Sequence, residues 1–86
     1  DENLEFEGLE KGDLMFFGTK ATKNNKQRVT HVGIWLGNGR QEFIHASGRV
    51  RLNSVAKTSN DYNEYLVNNY LGSRRYLGVQ DLVIKD

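Results

Sequence analysis

The sequence predicts an α+β domain that consists mainly of an antiparallel β-sheet of about five strands, with one short helix. Short runs in which apolar and polar residues alternate recur along the 86 residues, and turns rich in Gly and Asn separate several of them. One segment instead places Tyr62, Tyr65 and Leu66 at helical spacing. A net charge of +1 and the absence of proline fit one small domain with a modest core.

The most distinctive segment is a predicted β-hairpin that contains both histidines of the chain, His31 and His45. Residues 30–36 and 41–46 alternate on either side of a Gly/Asn turn, which is typical of two antiparallel strands. Because side chains alternate between the two faces of a strand, the register of the hairpin decides whether the two imidazoles share a face.

The turn residues permit two registers. A three-residue Gly37-Asn38-Gly39 loop would set His31 directly opposite His45 on one face. A two-residue Asn38-Gly39 turn would set Val32 opposite His45 and would place the imidazoles on opposite faces.

The remaining predicted elements are three strands and one short helix. The strands are expected near residues 14–17, 50–55 and 73–77. The helix is expected to begin at Asp61, whose side chain would act as the N-cap, and to run to about Leu66. We expect Gly72 to end this region.

The two ends of the sequence give weaker signals. Residues 4–7 alternate like a short edge strand, and residues 79–84 could form a last strand or a tail. Between the first segment and the strand near 14–17, the Asp13 side chain is expected to accept hydrogen bonds from turn amides.

The predicted sheet carries apolar side chains on both faces, and one short helix cannot cover both. Trp35 and Phe43 are expected on the histidine face. Leaving such large side chains in water forgoes roughly 1.5–3 kcal/mol each. We therefore expect the histidine face to carry an exposed apolar patch that chain outside this sequence covers.

Composition excludes several classes of site. The absence of cysteine excludes a disulfide framework, a thiolate zinc site and a cysteine nucleophile within these residues. The basic segment from Thr19 to Arg28 has no interleaved aromatics, so it indicates an exposed loop, and we expect no nucleic-acid partner. No run approaches the roughly twenty apolar residues of a membrane span, and no signal segment opens the sequence.

Two histidines on one strand pair can serve structure, catalysis or metal binding, and spacing alone leaves these alternatives open. Gly33 would leave bare backbone beside His31 and let another group approach the imidazole. A catalytic zinc usually has three protein ligands, and the candidates for the third fit poorly. Glu42 alternates onto the face opposite His45, and Asp13 lies on a turn, so we expect neither a metal nor a cofactor.

Several segments closely resemble the second half of the NlpC-type bacterial cell-wall peptidases. In family order, they are Leu9–Gly18, Thr30–Gly39, Phe43–Gly48, Val50–Ser54 and Ser73–Tyr76. The resemblance spans roughly Leu9 to Leu77, nearly the whole chain. It implies that residues 1–86 are a single partial domain, the sheet half of a papain-like cysteine peptidase domain.

The resemblance also implies roles for the histidines. Members of the family hydrolyse peptidoglycan peptides, and many cut the bond between γ-D-glutamate and a diamino acid. His31 matches the catalytic base, and His45 matches the polar residue that orients it. The two rings are then expected to face each other across neighbouring strands, within reach of a hydrogen bond.

The family's nucleophile lies at the start of a helix, in an Asp-Cys-Ser-Gly type motif upstream of the segment that Leu9 begins. The present sequence contains no such motif. We therefore expect the N-terminal half of the catalytic domain to be absent from this sequence and to meet the histidine face. The resemblance further implies a location in the cell envelope, either periplasmic or secreted.

A non-catalytic β-rich module that binds a peptide or a glycan is the main alternative. Trp35, Tyr62 and Tyr65 would supply its contact surface, although such aromatic side chains more often belong to a core. The residues encoded upstream of this sequence distinguish the two, because only the peptidase requires a cysteine there.

Overall fold

A computed structural model describes residues 4–75 of the chain. Its strands and helix are β1 (Leu14–Thr19), β2 (Arg28–Trp35), β3 (Glu42–Ala46), β4 (Val50–Ser54), α1 (Glu64–Asn68) and β5 (Tyr70–Arg74). The strands form one sheet in the order β4-β3-β2-β1-β5, and every neighbouring pair is antiparallel. The predicted antiparallel sheet with one short helix is confirmed. No helix in the described range is long and apolar enough to cross a membrane.

Both predicted hairpin registers are wrong. Gly33 pairs with His45 and Trp35 pairs with Phe43, because the connection is longer than either predicted turn. The Leu36 N–H still donates to the Glu42 carbonyl at 3.0 Å, so the reversal occupies residues 37–41.

The longer connection nevertheless leaves the two histidines on one face of the sheet. Relative to the register that sets the two histidines directly opposite each other, β3 is displaced along β2 by two residues. Because side chains alternate with a period of two, an even displacement keeps His31 and His45 on the same face. The histidines are therefore diagonal neighbours rather than directly opposed.

Local contacts also move the helix start. Asn63, not Asp61, is the N-cap, and its side-chain oxygen accepts the Leu66 N–H at 3.0 Å. Asp61 is held just before the helix, because its carbonyl accepts the Ser54 N–H at 2.8 Å and Tyr62 forms a β-bridge to Ser54.

The last described strand begins earlier than expected. β5 starts at Tyr70 rather than near residue 73, and Gly72 lies inside it rather than ending the helical region. The cause is pairing with β1, since Phe17 pairs with Tyr70 and Phe16 pairs with Gly72. The predicted run at residues 79–84 lies outside the described residues.

The predicted edge strand at residues 4–7 is wrong as well. Leu4–Phe6 forms one turn of 3₁₀ helix. This turn places the Phe6 ring against Trp35, with ring centroids 6.5 Å apart, and against Tyr70, at 4.6 Å. The burial of the Phe6 ring in the core therefore decides the conformation of this segment, whose alternating pattern is short and weak.

The core lies on the histidine face of the sheet. Its buried apolar residues are Phe6, Met15, Phe17, Trp35, Phe43, Val55, Leu66 and Tyr70. Trp35 and Phe43 are only 6% and 0% exposed, so the predicted apolar patch on this face is wrong. The segments that flank the strands fold onto that side and cover it.

Four exposed apolar side chains of the sheet lie on the opposite face. Val32, Ile34, Val50 and Leu52 all belong to it, and each is exposed. The expectation that one short helix cannot cover both faces therefore holds, but the face left bare is the other one.

An ion pair between the buried Asp13, just before β1, and the largely exposed Arg75, just after β5, ties these two strands together. The Asp13 carboxylate accepts two hydrogen bonds from Arg75, each 2.8 Å long. As predicted, it also accepts a turn amide, the N–H of Glu10, at 2.8 Å. The Arg75 hydrogen bonds hold the pKa of Asp13 below its ordinary value, against burial, which would raise it.

This ion pair predicts a pH-dependent loss of stability in Asp13→Asn. Because the folded pKa is lowered, the charge of Asp13 stabilises the fold above its unfolded pKa of about 3.9, and this contribution disappears as the pH falls through the folded value. At neutral pH the variant should lose about 1.5–3 kcal/mol of unfolding free energy, the usual range for hydrogen bonds to a charged group. Urea unfolding across a pH series measures this.

Glu7→Gln, at an exposed carboxylate, is the matched control and should change the unfolding free energy by less than about 0.5 kcal/mol. A deficit in Asp13→Asn that stayed constant down to strongly acid pH would contradict the ionic role.

A second stability prediction concerns Gly18, where the register between β1 and β2 shifts. A Cβ added to Gly18 would overlap the carbonyl oxygen of Arg28, which is rigid backbone. Gly18→Ala should therefore lower the unfolding free energy by about 1–3 kcal/mol or more. Gly39→Ala is the control, because a Cβ there meets nothing within 4 Å. Equal melting temperatures for the two variants would show that the bulge is not constrained.

Candidate active site

Two imidazoles on neighbouring strands form the centre of the candidate site. Nε2 of His31, on β2, lies 2.7 Å from Nδ1 of His45, on β3. The rings meet edge to face, with an interplanar angle of 83°. The predicted ring-to-ring hydrogen bond is therefore present.

Asn53 on β4 extends this contact and was not predicted as a site residue. Its side-chain oxygen lies 2.7 Å from Nε2 of His45, and its side-chain nitrogen donates to the Asp61 carbonyl at 2.9 Å. Alternation along β4 could have placed Asn53 on the histidine face. Asn53 pairs with Phe43, which brings its side chain close to His45. This pairing cannot be read from the sequence without knowing the register of β3 and β4.

Core aromatic rings lie beside both imidazoles. The ring centroid of Phe17 lies 5.9 Å from that of His31, and the centroid of Phe43 lies 5.1 Å from that of His45. Gly33 makes this possible, because a Cβ there would lie 3.0 Å from the Phe43 ring. The bare backbone at Gly33 therefore accommodates the Phe43 ring.

A cleft of about 430 Å³ adjoins the histidine pair. It runs between the sheet and the segment that contains α1. Its lining residues are Phe17, Gly18, Thr30, His31, His45, Ser47, Arg51, Asn53, Asn63, Tyr65, Leu66 and Asn69. The lining of the cleft thus includes one guanidinium, that of Arg51, and both polar and apolar side chains.

Burial sets the protonation of the first imidazole. Partial burial lowers the pKa of His31, and the nearby His45 lowers it further because a second positive charge would repel the first. His31 is therefore neutral at pH 7. A neutral imidazole has one nitrogen with a free lone pair, which is the form that accepts a proton.

The residues considered for other functions lie elsewhere or have other partners. Asp13 is bound by Arg75, and the Glu42 side chain accepts a hydrogen bond from Asn38 at 3.0 Å. Trp35 belongs to the core, whereas Tyr65 is 74% exposed and lines the cleft.

The sequence of the domain matches a known family. The model of the NlpC/P60 family matches residues 2–75, which include both histidines, Asn53 and every strand described above. The match covers far more than half of the chain. The chain belongs to the NlpC/P60 family and is a domain of the cell-wall peptidase type.

Proposed function

We propose that this chain supplies the general base of a cysteine peptidase that hydrolyses peptidoglycan stem peptides. The observation that carries the proposal is the 2.7 Å contact between His31 and His45 at the edge of the cleft. His31 is the base, and His45 orients it. The nucleophilic cysteine comes from chain that is not included in this sequence.

The chemistry requires a neutral, oriented imidazole. A thiol with a pKa of about 8.5 is mostly protonated at pH 7, and a nearby imidazole generates the thiolate by taking its proton. The thiolate attacks the carbonyl carbon of the peptide, the C–N bond breaks, and the imidazolium of His31 gives its proton to the departing amine. Water, deprotonated by the same imidazole, then hydrolyses the thioester.

The cleft also suits an acidic peptide. A γ-D-glutamyl residue carries a free α-carboxylate, and Arg51 on the cleft wall offers a guanidinium that can pair with it. We propose the bond between γ-D-glutamate and the diamino acid as the one that is cut. With this substrate we also propose a location in the cell envelope, either in the periplasm or as a secreted protein.

The N-terminal half of the catalytic domain is the proposed partner within the same protein. It would bring a helix whose first turn carries the cysteine towards His31, where the helix dipole favours a thiolate. The result would be a papain-like arrangement in which the sheet holds the base and the helix holds the nucleophile.

A binding module without catalysis is the second candidate, and the exposed ring of Tyr65 on the cleft wall favours it. Trp35 does not contribute to such a surface, because it is buried. A ligand that binds the cleft without turnover in the full-length protein would support this candidate.

Loss of the base in the full-length protein tests the peptidase function. His31→Ala should lower kcat by about 10²–10⁴-fold, the usual contribution of general acid–base catalysis. Release of cleaved stem peptide, followed by chromatography, measures this. Lys23→Ala, in the exposed loop between β1 and β2, should leave turnover unchanged.

The 86-residue chain without a cysteine should release no product, since no thioester can form on it. Equal turnover for His31→Ala and Lys23→Ala would contradict the role of His31.

The protonation of His31 gives an independent prediction. In the 86-residue chain, proton NMR of the imidazole should give a titration midpoint for His31 below 6.5, because burial and the second imidazole both disfavour the charged form. His45→Gln should raise this midpoint, because it removes the repulsion but leaves the burial. A His31 midpoint at or above 6.5 in the unmodified chain would rule out this electrostatic description.

A further inference from the structure

The hydrogen bonds that run from Asp61 to His31 can be assigned a direction. The Asp61 carbonyl is an acceptor only. It already accepts the Ser54 N–H at 2.8 Å, which fixes it against the end of β4. The group of Asn53 that faces this carbonyl must therefore be the NH₂ group, at 2.9 Å, and the amide oxygen of Asn53 must face His45.

The orientation of the Asn53 amide then decides both imidazole tautomers. An amide oxygen accepts, so Nε2 of His45 carries the hydrogen and donates across the 2.7 Å contact. A neutral imidazole carries only one N–H, so Nδ1 of His45 is an acceptor. The 2.7 Å contact to His31 consequently requires the hydrogen on Nε2 of His31.

This assignment leaves Nδ1 of His31 with its lone pair free. Within residues 4–75, no group hydrogen-bonds to that nitrogen. Burial keeps the ring neutral, so the lone pair is available at pH 7. The chain of hydrogen bonds thus selects which nitrogen of His31 can accept a proton.

We propose that Asn53 is a positioning residue that fixes the tautomers of His45 and His31 and thereby makes Nδ1 of His31 the basic nitrogen. The catalytic consequence rests on the proposed peptidase function. The tautomers themselves do not, and they can be measured in the absence of any reaction.

The side chain at position 53 must both accept from His45 and donate to Asp61. Asparagine meets both demands, because its amide has an acceptor and a donor at opposite corners. Leucine has a similar size and meets neither demand. Aspartate keeps the acceptor for His45 but loses the donor to the Asp61 carbonyl.

Nitrogen-15 NMR of the histidine rings in the 86-residue chain tests the proposal directly. At a pH where both rings are neutral, each should show one tautomer, with the hydrogen on Nε2. Both Nε2 hydrogens should exchange slowly with water because each is held in a hydrogen bond. A hydrogen on Nδ1 of either histidine would overturn the assigned direction even before any variant is made.

Variants then test whether Asn53 is the cause. Asn53→Leu should lose the slowly exchanging Nε2 hydrogen of His45 and should give mixed tautomers at both rings. Asn53→Asp should keep the tautomer of His45, because a carboxylate still accepts its hydrogen. Asn24→Leu, the same change in the exposed loop, should leave all ring signals unchanged. Retention of single, protected tautomers in a folded Asn53→Leu chain would refute the proposal.

Activity of the full-length protein separates this proposal from the proposed function. Asn53→Leu should lower kcat by about 10- to 100-fold with little change in KM, since other groups bind the substrate. Asn53→Asp should recover part of that loss. If His31→Ala has no effect on turnover while the tautomers are as assigned, the peptidase function fails and the positioning role of Asn53 stands.

Discussion

The alternation of side chains along β2 and β3 is the constraint on which the rest of the structure depends. It requires that the face that carries His31 and His45 also carries Trp35 and Phe43. The same face must therefore serve as core and as candidate site. The two roles are separated along the strands. Trp35 and Phe43 lie near the turn of the hairpin, and the imidazoles lie further from the turn, where the cleft begins.

This arrangement couples the position of the imidazoles to the packing of the core. Phe17 and Phe43 are almost fully buried, and each lies beside one histidine ring. A close-packed interior resists small displacements, so these rings limit how far the imidazoles can tilt. Gly33 contributes by its lack of a side chain, because any Cβ there would push against Phe43. Packing and hydrogen bonds thus restrain the same two groups.

The sequence predicted what depends on local period and missed what depends on tertiary contacts. Alternation located β2, β3 and β4 to within two residues, but it left two hairpin registers open, and the shared face of the two histidines was expected from the family resemblance. The length of the hairpin connection could not be predicted, because Gln41 adopts a φ of 54°, which glycine or asparagine usually adopts. Asp61 and Asn63 are both good N-caps; in the folded chain the Asp61 carbonyl accepts the Ser54 N–H, and the Asn63 side chain caps the helix. Asn53 was not singled out, because its two partners, His45 and the Asp61 carbonyl, become its neighbours only in the folded sheet.

The two nitrogens of His31 have different surroundings, and this difference connects fold to chemistry. Nε2 is bound to His45, which in turn is bound to β4 and to the backbone just before α1. Nδ1 has no such partner among the described residues. A base that must take a proton from one group and give it to another needs one nitrogen held and the other free. The sheet and the segment that follows β4 together hold Nε2 of His31, because His45 and Asn53 lie on strands and the Asp61 carbonyl lies in that segment.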